Sequence, residues 1–188
     1  MNQVLVDHWV APTIFDSRSM QCFRAMVNLQ ELKIGDLDFT EFLEGFEKYL
    51  GHFSPTLRSV ALSHPNGTRR QLLNFFMLFP MLDNVEILCY HPRREVYEPL
   101  DGQLTPITGG LRGRLTLDMF GDEGLLKDMI VAFGGLRFTS MDLGDIFQGT
   151  PLLLKACGET LRTLRLSVDR ILYACKTFDS RCILLQSS

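Results

Sequence analysis

Nowhere among the 188 residues is there an apolar run long enough to cross a membrane. The longest apolar stretch, Leu72 to Leu82, is broken by Asn74 and Pro80 and falls far short of the roughly 20 residues a bilayer requires. The opening stretch, Met1 to Pro12, has neither a basic region nor an apolar core, so no secretory leader is read there. An excess of positive charge is missing too. Nineteen Lys and Arg against 22 Asp and Glu leave a net charge of −3, which argues against a broad nucleic-acid footprint. Cysteine is sparse: five, an odd number without dense spacing, fit reduced thiols in the cytoplasm or nucleus rather than a disulfide framework. Glycine and proline, 15 and 8, are too few for a low-complexity chain.

The patterns that carry catalysis are also lacking. There is no G-x-x-x-x-G-K-S/T, no G-x-G-x-x-G behind a strand, no H-E-x-x-H and no G-x-S-x-G. Gly109-Gly110-Leu111-Arg112-Gly113 is rich in glycine, but no helix starts directly behind it to offer N–H groups to a phosphate. Of the four histidines, His8, His52, His64 and His91, two precede proline, which is turn chemistry. Cys89 and His91 lie two apart, but zinc takes about four such ligands, and Cys157, Cys175 and Cys182 are far along the chain. Buried structural cysteine is the plainer reading. A Cys89 nucleophile would need a base and an orienting third group, and the sequence offers no third group. The expectation is a chain with no catalytic residue, no metal and no cofactor.

What is present is a repeat. Leu161-Arg162-Thr163-Leu164-Arg165-Leu166 shows the frame L-x-x-L-x-L most clearly. It recurs at Leu29 to Ile34, Leu57 to Leu62 and Leu82 to Ile87, and more loosely in Leu115-Thr116-Leu117 and Met141-Asp142-Leu143, with Val4-Leu5-Val6 leading. The fourth positions are Val4, Leu32, Val60, Val85, Leu115, Met141 and Leu164, about 27 residues apart on average, within the window of leucine-rich repeats. Alternate residues of a strand face opposite ways, so the paired apolar residues mark one buried face. Parallel neighbours need a crossover, usually a helix.

The intervals hold helix patterns. Asp38 with Glu41 opens one, followed by Phe42, Leu43, Phe46, Tyr49, Leu50 and Phe53 at helical spacing. Thr68 and Gln71 form a capping box before Leu72, Leu73, Phe75, Phe76 and Phe79, with Pro80 as the stop. Asp122 precedes Leu125, Leu126, Met129, Ile130 and Phe133, and Gly134-Gly135 ends that helix. Thr150 is expected as an N-cap with Pro151 at the first helical position, Leu153, Leu154 and Cys157 inside, and Gly158 as the stop. Asp16, Met20, Phe23, Met26 and Val27 suggest one more.

The fold class expected is α/β: a leucine-rich-repeat-like solenoid of about six to seven irregular repeats, with a curved parallel sheet inside and helices outside. It spans residues 1–168, with a long loop at 89–110, and residues 169–188 form an irregular C-terminal tail in which Ile171, Leu172, Cys175 and Phe178 fit a last helix. Loops that break a repeat's rhythm often lie on its binding face. Val4-Leu5-Val6 begins inside the array without a capping repeat, which suggests a piece of a longer protein or a covered end.

The outward residues of the strands are the candidate surface. One row runs Lys33, Ala61, Glu86, Thr116, Asp142, Arg165, and its neighbour runs Glu31, Ser59, Asn84, Arg114, Ser140, Thr163. Lys33, Glu86, Arg114, Asp142 and Arg165 are the candidate partner-binding residues on the concave face. Asp142 and Arg165 should sit on adjacent strands as an exposed ion pair, worth only about 0–1 kcal/mol.

Several blocks are similar to the leucine-rich-repeat-like domains of F-box-type proteins of mushroom-forming fungi. They are Asn28 to Ile34, Gly51 to Ser59, Leu111 to Leu117 and Phe133 to Phe138, and the resemblance covers about residues 4–168. It implies the substrate-recognition arm of a ubiquitin-ligase receptor. The helical F-box itself has no counterpart here, so docking to the ligase adaptor is not implied. The asparagine ladder of regular leucine-rich repeats is also absent, since Leu37 and Pro65 occupy those places, and an irregular, helix-rich variety is expected. The expected function is a non-catalytic scaffold that binds a protein partner and neither nucleic acid nor membrane. The alternative is a truncated orphan paralogue without specific function.

Overall fold

The computed structural model describes residues 3–6, 28–39, 50, 53–92, 111–118 and 122–167. Seven strands form one sheet, every neighbouring pair parallel and in chain order. They are β1 (Gln3–Val6), β2 (Glu31–Gly35), β3 (Ser59–Ser63), β5 (Asn84–Leu88), β7 (Leu111–Asp118), β8 (Leu136–Leu143) and β9 (Thr163–Leu166). Two short strands, β4 (Asn66–Gly67) and β6 (His91–Pro92), make a second parallel pair just past the ends of β3 and β5, and Asp38 joins Asn66 as an isolated bridge. Three helices are described: α1 (Arg69–Met77), α2 (Glu123–Ala132) and α3 (Thr150–Cys157).

The register follows the repeat frame without a slip at its anchor. Val4, Leu32, Val60, Val85, Leu115, Met141 and Leu164 stand opposite one another across all seven strands. Two residues on, Val6, Ile34, Leu62, Ile87, Leu117, Leu143 and Leu166 do the same. From β2 to β8 both rows are buried, and they join the helices in one core reaching from Leu29 to Cys157. A one-residue slip would turn either row to solvent, so burial itself holds the alignment. In β9 these residues are uncovered, Leu164 at 37% and Leu166 at 39%.

Each strand from β2 to β5 ends in the same way. Asp36, His64 and Cys89 have positive φ, 49°, 52° and 54°. Their amides donate at 2.8 Å to Ser63, Leu88 and Asp118, each on the next strand over. The residue behind each turn, Leu37, Pro65 or Tyr90, is buried. Apolar packing thus closes each of these turns.

The helix caps separate expectation from outcome. Thr68 and Gln71 form both halves of the capping box, and α1 ends before Pro80. Asp122 accepts from the Leu125 amide at 3.1 Å. Gly134 and Gly135, φ 61° and 116°, end the turn after α2. Thr150 is not the N-cap of α3. That place belongs to Gly149, and the Thr150 hydroxyl accepts instead from the Phe147 amide at 3.1 Å, closing the turn before the helix. Asp38, expected at a helix start, accepts from the Asn66 side-chain amide at 3.2 Å. The helix patterns at 16–27 and 40–49, residue 168 and the tail at 169–188 lie outside the described residues. So does most of the expected loop, although its start, His91–Pro92, pairs with Asn66–Gly67.

Side by side, α1 packs on α2, α2 on α3, and α3 on β8. Phe75 stands at the centre of the outer layer, edge-on to Phe39, Phe76 and Phe79 with ring centroids 5.4–5.7 Å apart. Burying each such ring contributes about 2–3 kcal/mol of transfer free energy.

Candidate functional site

The face of the sheet turned from the core carries the two outward rows. Lys33, Ala61, Glu86, Thr116, Asp142 and Arg165 are in register across six strands. Glu31, Ser59, Asn84, Arg114, Ser140 and Thr163 form the second row. Every member of both rows is partly or fully exposed, so no described element covers this face.

Within the rows the candidate residues differ in what they touch. Lys33 Nζ lies 3.1 Å from Glu31 Oε1 on its own strand. Asp142 pairs with Arg114 across β7 and β8, with Nη2 donating to Oδ2 at 3.2 Å. The expected Asp142–Arg165 pair is replaced by this one. Arg165 is the register neighbour of Asp142 on β9, but it forms no ion pair among the described residues. Glu86 forms none there either. Lys33 and Arg165 stand five strand intervals apart, roughly 24 Å at about 4.8 Å per strand. The structure therefore brings Arg114 and Asp142 together and leaves Lys33, Glu86 and Arg165 spread along a line.

The C-terminal ends of the strands hold the other features. A hollow of about 300 Å³ is lined by Leu88, Thr116, Leu117, Asp118, Asp142, Gly144 and Ser167. Gly144 is needed there, since a Cβ would fall 2.0 Å from Asp118 Oδ1. Further along, His64 Nδ1 lies 3.6 Å from Asp36 Oδ1, both more than half exposed. Cys89 occupies the same turn position one strand on. Among the described residues no group of three or more His, Cys, Asp or Glu is placed to hold a metal ion, and no helix is long and apolar enough to cross a membrane.

Gly113, inside β7, has a structural reason. Gly113 has φ 86°, and a Cβ there would sit 1.9 Å from the Asp83 carbonyl oxygen. Its neighbour Arg114 donates its amide to that same oxygen at 2.8 Å. The register shifts between Gly113 and Arg114, where β8 carries one extra residue, Thr139, while Arg112 and Arg114 share the outward face of β7 by ordinary alternation.

Sequence reasoning passed over Arg112, Arg137 and Arg162. Each follows the leucine that opens a strand segment, as Leu111-Arg112, Leu136-Arg137 and Leu161-Arg162, evenly spaced in the chain. That spacing was the signal available. Comparison with protein-family models, with curated proteins and with solved structures finds no match for this chain.

Proposed function

We propose that the chain is a leucine-rich-repeat-like solenoid whose open sheet face binds a protein partner without catalysis. It would serve as the substrate-recognition arm of an F-box-type ubiquitin-ligase receptor, as the resemblance implies. The observation that carries the reading is the outward row of Lys33, Ala61, Glu86, Thr116, Asp142 and Arg165, in register over six strands and uncovered. A polar ribbon of roughly 24 Å suits a macromolecule rather than a metabolite. Its mixed charge favours specificity and orientation over bulk affinity. Buried Cys157, which forms no disulfide, suits the reducing cytoplasm or nucleus.

The test uses immobilised chain and fungal lysate, with retained proteins identified by mass spectrometry and re-bound as purified proteins. Glu86→Lys and Arg165→Glu should each weaken a genuine partner by about tenfold, the effect of losing one charge-assisted contact. Lys155→Glu, on the helix layer, should not. A partner indifferent to both sheet-face substitutions removes the sheet face as the binding surface.

A further inference from the structure

Among the described residues, five arginines gather at one corner of that face. Arg112 and Arg114 on β7, Arg137 on β8, and Arg162 and Arg165 beside and on β9 are all exposed. Arg112 stands directly opposite Arg137 in the register. The Arg162 amide donates to the Thr139 carbonyl at 2.8 Å, which sets Arg162 abreast of a residue two beyond Arg137. Arg114 is opposite Ser140 and Arg165 opposite Asp142. The five guanidinium groups therefore spring from an area of roughly 10 by 16 Å, three strands wide and five residues long.

The fold makes little use of them. Arg114 is bonded to Asp142. Arg112, Arg137, Arg162 and Arg165 form no ion pair or side-chain hydrogen bond among the described residues. Arg58, at the corresponding place before β3, shows what a structural arginine does here: its Nη1 reaches the Met81 carbonyl at 3.3 Å and Asp83 at 3.7 Å. Like charges directly opposite on neighbouring strands destabilise a sheet. The Arg112–Arg137 juxtaposition is thus a cost that nothing described in the chain offsets, and a partner of opposite charge would offset it.

We propose that this arginine corner docks a carboxylate-rich segment of a protein partner. The proposal deepens the reading of the sheet face as a binding surface and rests on it. Guanidinium groups bind carboxylates in bidentate fashion, and being weakly hydrated they lose less on desolvation than ammonium groups. The neighbouring hydroxyls of Ser140 and Thr163 can supply further donors for carboxylate oxygens. Asp142, paired with Arg114 and opposite Arg165, bounds the corner toward the C-terminal ends of the strands, where the hollow that Asp118 also lines begins. An acidic segment would be held at the arginine end and repelled from the hollow, which fixes its place. A long polyanion such as nucleic acid, running beyond the corner, would meet those carboxylates.

The experiment is fluorescence anisotropy of the full chain with a labelled oligoglutamate peptide. Saturable binding is expected, weakening at least about tenfold in Arg112→Glu/Arg137→Glu and falling as salt rises from about 50 to about 300 mM. Arg112→Gln/Arg137→Gln, checked for a cooperative thermal transition, gives the same direction if the charge reversal fails to fold. Lys155→Glu should leave binding unchanged. The proposal is overturned if oligoglutamate does not bind, or if the double variants bind it as the parent does. It is also overturned if a phosphoserine peptide or oligothymidylate binds more tightly than oligoglutamate. Glu86→Lys separates the two readings. A protein partner sensitive to Glu86→Lys, together with no oligoglutamate binding, ends this inference and leaves the broader one standing.

Discussion

Cys157 shows how one side chain's surroundings set its chemistry. It is fully buried between α3 and the sheet. Burial pushes its thiol above the ordinary value of 9.0, and the bond to the Phe138 backbone pulls only weakly the other way. The folded state therefore holds the thiol proton longer than the unfolded chain does. Stability from this group is complete below pH 9 and is lost as pH rises through the folded-state value, because only the unfolded chain gains by ionising. The difference in urea stability between the parent and Cys157→Val should thus shrink as pH rises above about 9. A difference that stays constant with pH refutes this. Gly113 is settled at the same scale, by the Asp83 carbonyl that leaves no room for a Cβ.

Between elements, the decisive contact joins two helix starts. Arg69, the first residue of α1, donates through Nε to Asp122 at 2.8 Å, and Asp122 is 5% exposed. The bond to Asp122 outweighs burial and holds the Arg69 proton more firmly than usual. Gly124 leaves the space, since a Cβ there would fall 2.2 Å from Arg69 Nη1. Asp122 thereby caps α2 and anchors α1 at once. Asp122→Ala should cost about 2–4 kcal/mol in urea denaturation, combining a lost cap with an uncompensated Arg69. Asp122→Asn, which can still cap, should cost less. Equal losses in the two variants show that the ion pair contributes nothing.

Across the whole molecule, burial is uneven along the sheet. Strands β2 to β8 hold both apolar rows closed, whereas every residue of β9 is exposed. Hydrogen exchange should follow this gradient. The amides of Leu164 and Leu166 should exchange at least about tenfold faster than those of Leu62 and Ile87, which lie in the closed middle. Uniform protection from β3 to β9 shows instead that the sheet opens as one unit.

The alignment of seven apolar anchors was legible in the sequence because each strand needs the same answer to the same problem. An apolar face that cannot be buried alone must stack on a copy of itself. Caps such as Thr68 and Asp122 were legible for a local reason, since the bonds they make lie within one turn. The candidate site was only partly legible. The rows of Lys33, Glu86 and Arg165 follow from register, but the partner of Asp142 does not. Register offers it neighbours on two strands, and only side-chain reach selected Arg114. The arginine corner stayed hidden because Leu-Arg reads as an ordinary strand edge until the register sets Arg112 directly opposite Arg137.

By itself, the sequence determined the order of the strands, their parallel sense and the face each would bury, since those depend on period and on the side-chain alternation of a strand. Tertiary structure alone decided which charges meet, where the apolar rows go uncovered, and why Gly113 and Gly124 have no side chain. Those are matters of distance between residues far apart in the chain, and distance is what folding adds.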